Sequence, residues 1–268
     1  MTSRLSEAFA RARAQNRAAF VAYLTAGDPG MAETERLALC LDRAGADVLE
    51  LGVAFSDPIA DGPVLQRAAE RALAAGAGLE EIFAAVRRIR ARTRLALVLF
   101  SYLNPLMARG ADRVAREARE AGFDGVLVTD LPPEEAGDLH PVFQRAGLDT
   151  VFLVSPTSPA PRMKKAARLS SGFLYVVSRS GTTGERSRLP EDLPRTVARA
   201  RAAAGRLPIA VGFGISTPES ASEAAKLADG VVVGSALVAA AAAAGERREE
   251  ALESLARRLA GACRRGAK

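Results

Sequence analysis

The chain has 268 residues, 49% hydrophobic and 25% charged, enough apolar material for one large core, which argues against disorder. Its net charge of +6 favours small anions, but no aromatic platform or reading helix accompanies it, so nucleic-acid binding is not expected. Two distant cysteines, a single histidine, no long apolar run and no signal-type leader predict no metal site, no membrane span and a cytoplasmic setting.

Residues 3–15 place Leu5, Phe9 and Ala12 at helical spacing, an opening amphipathic helix suited to covering one end of a barrel. A short apolar strand over 20–23 runs into the turn-rich Thr25-Ala26-Gly27-Asp28-Pro29 and a helix over 31–44. Strand 48–52 feeds a long loop and helices through Arg90. The basic run Arg87, Arg88, Arg90, Arg92 and Arg94 reads as a solvated face at a helix C-terminus, where positive charge suits the dipole. Strand 95–100 feeds Pro105 and a helix near 112–121, and strand 125–128 feeds Pro132, Pro133 and a helix from Glu134. Strand 150–154 is followed by Pro159 and a helix near 162–169. Strand 173–177 enters a long loop before a helix over 193–204, and strand 208–211 enters a turn over 212–217. The last strand, 230–233, meets Gly234 and Ser235, which open a helix, and residues 249–263 form a terminal helix. Eight short apolar strands, each feeding a helix, predict an α/β fold: one parallel TIM (β/α)8 barrel over residues 1–268, with an extra N-terminal helix.

In such a barrel the chemistry belongs to the C-terminal ends of the strands. Glu50 lies between Leu49 and Leu51, so strand alternation turns it to the opposite face from both, into the barrel. An apolar pocket there raises a carboxylate's proton affinity and makes Glu50 a candidate acid and base; a structural acid tied to backbone is the alternative. Asp61, in the segment after that strand, is the second candidate, able to accept from a ring N–H. Asp57 and Asp61 also fit turn and helix-cap roles. His140 misses the strand ends and reads as a packing or solvent residue, which leaves the carboxylates and Tyr175 for proton handling. Gly184, Gly212, Gly214, Gly234 and Ser235 come from adjacent late loops, where peptide N–H groups and a helix N-terminus suit phosphate; ordinary β/α turns explain the same glycines. No Walker A or dinucleotide fingerprint is present.

Leu49-Glu50-Leu51-Gly52, Phe55-Ser56-Asp57-Pro58-Ile59-Ala60-Asp61-Gly62-Pro63, Ser178-Arg179-Ser180-Gly181-Thr182-Thr183-Gly184 and Gly212-Phe213-Gly214-Ile215-Ser216 together resemble the tryptophan synthase alpha chain family. Residues 23–29, Asn104-Pro105-Leu106, Asp130-Leu131-Pro132 and Gly234-Ser235-Ala236 add matches in the same order. The resemblance implies a lyase that cleaves indole-3-glycerol phosphate to indole and glyceraldehyde 3-phosphate by acid/base retro-aldol chemistry. It implies no cofactor in this chain, and pyridoxal phosphate in a tryptophan synthase beta chain partner, within an alpha2-beta2 complex. Glu50 is then the acid and base at indole C3, Asp61 the acceptor of the indole N–H, and Tyr175 the adjacent pocket tyrosine. Tyr23 and Phe213 help enclose the indole, and Asp57 and Pro58 face the partner. Another phosphosugar-binding barrel lyase or isomerase is the alternative reading, as is a catalytically weak barrel that binds and activates the beta chain. Two departures stand out: Ala54 where the family usually has proline, and Ser155 where it usually has alanine. Loss of that proline is expected to loosen the second loop. The loops over 54–61 and 179–189 are expected to act as lids.

Overall fold

The computed structural model describes residues 3–178 and 189–265 of the chain. Eight parallel strands close into a barrel in sequence order: β1 (Ala19–Thr25), β2 (Val48–Gly52), β3 (Ala96–Ser101), β4 (Gly125–Val128), β5 (Asp149–Val154), β6 (Leu174–Val177), β7 (Ile209–Gly212) and β8 (Gly230–Val233), with β8 pairing back onto β1. Around them lie α1 (Arg4–Ala14), α2 (Met31–Ala44), α3 (Pro63–Ala74), α4 (Leu79–Arg90), α5 (Leu103–Arg109), α6 (Ala111–Ala121), α7 (Leu139–Arg145), α8 (Ala160–Leu169), α9 (Leu193–Ala204), α10 (Pro218–Leu227), α11 (Ser235–Ala243) and α12 (Arg248–Ala262).

Two differences from the sequence pattern are local and involve proline. The stretch around Pro105 is itself a helix, α5, because a proline in a first turn gives up an N–H that has no intrahelical partner anyway. The helix expected from Glu134 begins only at Leu139, after turns that follow Pro132 and Pro133.

Alternation along the strands sorts the core into two layers. Leu49, Leu51, Leu97, Leu99, Val231 and Val233 face outward and pack under the helices, while Val21, Tyr23, Val48, Val98, Phe100, Leu127, Tyr175 and Val232 fill the interior.

The N-terminal end of the barrel is stoppered by α1. Its buried face, Leu5, Ala8, Phe9 and Ala12, joins the interior cluster, and Phe9 meets Phe173 at 5.3 Å. Glycine makes room for this stopper. A Cβ on Gly125 would lie 2.7 Å from Leu5 Cδ1, and one on Gly230 would lie 2.8 Å from Phe9 Cε1.

Aspartates at this end tie neighbouring strands together. Asp47 accepts from the Phe20 amide at 2.9 Å and pairs with Arg17; Asp124 accepts from the Leu97 amide at 2.9 Å. Arg90 and Arg4 bind Asp124 at 2.7 and 2.8 Å. The solvated reading of the basic run therefore fails for Arg90. Its guanidinium is mostly buried and also donates to the carbonyls of Gly122 and Leu95, because the last turn of α4 overhangs the strand ends.

Candidate active site

At the opposite end, the strand termini open into a pocket lined by Tyr23, Glu50, Asp61, Leu65, Phe100, Tyr175, Phe213, Gly214, Ile215, Val232, Gly234 and Ser235. Eight of these are sequence candidates: Glu50, Asp61, Tyr175, Tyr23, Phe213, Gly214, Gly234 and Ser235 converge on one space.

Glu50 comes from the middle of β2, in register with Tyr23 on β1 and Val98 on β3, so its side chain points inward among apolar groups. It is 1% exposed, and its Oε1 has no hydrogen-bond partner. Burial alone pushes its pKa up to about 8, because the ionised form has lost its water and gained no cation. Asp61, on the loop after β2, is also buried. Its pKa is raised to about 6 by burial, a shift held back by a hydrogen bond from the Tyr102 hydroxyl at 3.1 Å. No ion pair reaches either carboxylate among the described residues.

Tyr102 is the residue that sequence reasoning missed. Its hydroxyl donates to Asp61 and accepts from the Ala60 amide at 3.1 Å, while its ring packs against Phe55 at 5.4 Å, so it clasps the loop that carries Asp61. The signal was available: Tyr102 immediately follows β3, at the catalytic end of a strand. Asp57 is exposed and accepts from the neighbouring Ser56 hydroxyl at 2.6 Å, and Pro58 is half-buried; both stand outside the pocket lining. Ala54 is buried against Ala69 and Ala72 of α3, a packing that anchors the start of this loop without proline. Ser155 donates its amide to the Ser158 hydroxyl at 3.0 Å and closes a turn of its own.

The aromatic walls are held by contact with one another. Tyr23 meets Phe100 edge-on at 5.0 Å, and Tyr175 meets Phe213 at 5.8 Å in the same manner. Both tyrosines are buried, which raises their pKa values well above the ordinary phenol range and keeps them neutral. Gly212 serves Tyr175: a Cβ there would collide with the hydroxyl and lie 2.7 Å from Cζ. Phe213 then takes the left-handed region, φ 72°, uncommon for a bulky residue, and Gly214 follows at φ 84°.

Two helices start beside this rim and differ in their caps. Thr217 caps α10 through a reciprocal box with Ser220, which uses up its first donors. Helix α11 begins at Gly234 and Ser235 with no side-chain cap, and these two residues line the pocket. Leu237 and Val238 already donate to the Gly234 carbonyl, but the N–H groups of Ser235 and Ala236 precede any intrahelical acceptor, and the dipole adds positive potential. A Cβ on Gly234 would stand 3.4 Å from Tyr23, an ordinary contact, so this glycine, unlike Gly212, would meet no collision there. Gly184 and the rest of the sixth-loop lid lie outside the described residues. Among the described residues no cluster of metal-ligating side chains occurs, and no helix is long and apolar enough to cross a membrane.

Two buried carboxylates with no cation among the described residues, at the C-terminal end of a (β/α)8 barrel and opposite a helix N-terminus without a side-chain cap, define an acid/base enzyme site with an anion-binding end. The comparisons with known proteins narrow this class. Residues 9–265 match the family model for the tryptophan synthase alpha chain. The chain is 51% identical over 236 residues to the tryptophan synthase alpha chain of Citrifermentans bemidjiense, covering 88% of each, and 48% identical over 259 residues to that of Solibacter usitatus, covering 96% and 97%. Among solved structures, the tryptophan synthase alpha subunit of Legionella pneumophila superposes with a TM-score of 0.90 at 40% identity, covering 98% of this chain and 99% of that one. A chain of Mycobacterium tuberculosis tryptophan synthase superposes at 0.91 and 36% identity, covering 99% and 100%. The chain belongs to the tryptophan synthase alpha chain family. It is accordingly a lyase of tryptophan biosynthesis, whose family membership implies a beta chain partner.

Proposed function

We propose that this pocket cleaves indole-3-glycerol phosphate to indole and glyceraldehyde 3-phosphate, with Glu50 as acid and base. The observation that carries this reading is Glu50 itself, buried with an unpartnered oxygen and a pKa near 8, so that it holds a proton at neutral pH. Proton transfer from Glu50 to indole C3 interrupts the ring's aromaticity and opens the bond to the glycerol carbon to cleavage. The same carboxylate then takes the proton from the glycerol hydroxyl as that carbon becomes a carbonyl. Asp61, ionised above about pH 6, accepts the indole N–H and balances the positive charge that C3 protonation places on the ring. Tyr23, Phe100, Tyr175 and Phe213 enclose the indole and exclude water. The phosphate lies over the α11 N-terminus at Gly234 and Ser235, with Gly214 beside it; Gly184 and the peptide of Gly212 complete this end.

In this reading the partner is a pyridoxal-phosphate-bearing beta chain in an alpha2-beta2 complex, and the exposed Asp57 and half-buried Pro58 face it. Indole passes to that partner. Two buried thiols, Cys40 and Cys263, suit a reducing cytoplasmic setting. The test is indole release from indole-3-glycerol phosphate by the purified chain, expected to be slow alone and faster with a beta chain. Turnover of a different phosphosugar, with this substrate ignored, would overturn it.

A further inference from the structure

Gly52 ends β2 two residues beyond Glu50, on the same inward face. Tyr23 pairs in register with Glu50, one layer deeper, yet its ring leans toward the mouth. Its hydroxyl rests over Gly52, 3.4 Å from Thr25 Oγ1, and Thr25 is the residue that pairs with Gly52. A methyl group on Gly52 would overlap that hydroxyl and stand 2.6 Å from Tyr23 Cζ and 2.8 Å from Cε2. The ring has little freedom to yield. Phe100 closes one side edge-on at 5.0 Å, and the residue is 6% exposed. The open space beside it is the pocket that it lines. Any side chain at position 52 therefore drives the ring into the slot between Glu50 and Gly234.

We propose that Gly52 is a positioning residue: an empty socket that seats the Tyr23 hydroxyl and so fixes the wall of the slot joining Glu50 to the phosphate end. It acts through Tyr23 and touches no substrate. One strand thus supplies both the proton-handling group and the seat for the wall beside it. The choice of substrate rests on the function proposed above, whereas the socket itself rests on the geometry of β1 and β2.

The test compares Gly52→Ala, Tyr23→Leu and the double variant in steady-state cleavage of indole-3-glycerol phosphate, in equilibrium binding of indole, and in cooperative unfolding. Gly52→Ala is expected to lose about a hundredfold in kcat/KM, the scale of an ångström misplacement, and to bind indole more weakly while still unfolding cooperatively. Adding Tyr23→Leu removes the displaced ring and is expected to restore about tenfold, a coupling that independent sites do not show. Wild-type kinetics in Gly52→Ala, or a folded double variant no better than Gly52→Ala, overturns the proposal. Should Gly52→Ala fail to fold, folding of the double variant supports the socket. Should both fail, Tyr23→Phe decides: a raised KM with kcat retained supports it, and unchanged KM and kcat overturn it. A wild-type chain that releases no indole sinks the substrate assignment, while indole affinity across the same variants still tests the socket.

Discussion

The two ends of this barrel are built from the same residue types and put to opposite uses. At the N-terminal end, inward glycines are filled by Leu5 and Phe9, and Asp47 and Asp124 are met by arginines and strand amides. At the C-terminal end, the glycines at 52 and 212 are filled by tyrosine hydroxyls, Gly234 lies against the Tyr23 ring, and among the described residues Glu50 and Asp61 have no cation. Two guanidiniums and a strand amide surround Asp124. Among the described residues no cation approaches Glu50, and burial keeps its proton on. Stability is concentrated at one end and reactivity at the other, and carboxylates serve both according to what faces them.

The largest effect that sharpens this contrast is expected from Glu50→Gln, which keeps the volume and removes the exchangeable proton. Its kcat should fall about 10²- to 10⁴-fold in single-turnover indole release. The same variant should gain stability. A carboxyl whose pKa rises from an ordinary 4.5 to about 8 on folding contributes stability that is intact below the lower value and lost as pH climbs through the higher one. Urea unfolding of the wild type should therefore weaken between about pH 4.5 and 8, by on the order of 4 kcal/mol, relative to a Glu50→Gln protein that lacks this dependence. A wild type and variant with parallel stability profiles would show that Glu50 is not a buried, uncompensated acid.

Next comes Asp61→Asn, expected to lower kcat/KM about 100-fold with phosphate affinity retained; equal loss of inorganic phosphate binding would mean that the loop, and not the chemistry, had failed. At the other end, Asp124→Ala strands a mostly buried arginine and a strand amide. It should cost about 3 kcal/mol or more in chemical unfolding while leaving kcat of the folded protein unchanged; a comparable loss of turnover would break the division between the ends.

The smallest expected effect is a shift in a pH profile. With Asp61 ionised above about 6 and Glu50 protonated below about 8, kcat/KM should be bell-shaped between those values. Tyr102→Phe removes the hydrogen bond that favours the Asp61 anion, so the acid limb should move upward while the basic limb stays in place. An unmoved acid limb would detach Asp61 from that limb.

How much of this was legible in the sequence follows from the range of the interactions. Alternation along the strands placed Glu50 inward correctly, because an apolar residue on each side leaves a strand little choice. The barrel itself was readable from the repeated strand and helix pattern; around the prolines the reading missed α5 altogether and started α7 too early. The Tyr102 clasp and the Arg90–Asp124 pair join residues 41 and 34 positions apart, and no local period announces them. The glycines were the least legible. Gly212 and Gly234 look alike as turn residues, yet a Cβ at one would collide with the Tyr175 hydroxyl and a Cβ at the other would make only ordinary contact with Tyr23, and only the packed barrel tells them apart.

Because the packed interior and α1 together close the lower end, the barrel is a cup and not a tube. Everything that enters must leave through the rim it came in by. Two products made at different depths then share one doorway, and the deeper fragment waits behind the shallower one unless the rim itself offers a second way out. A vessel of this shape turns whatever sits on its rim into the keeper of both supply and discharge.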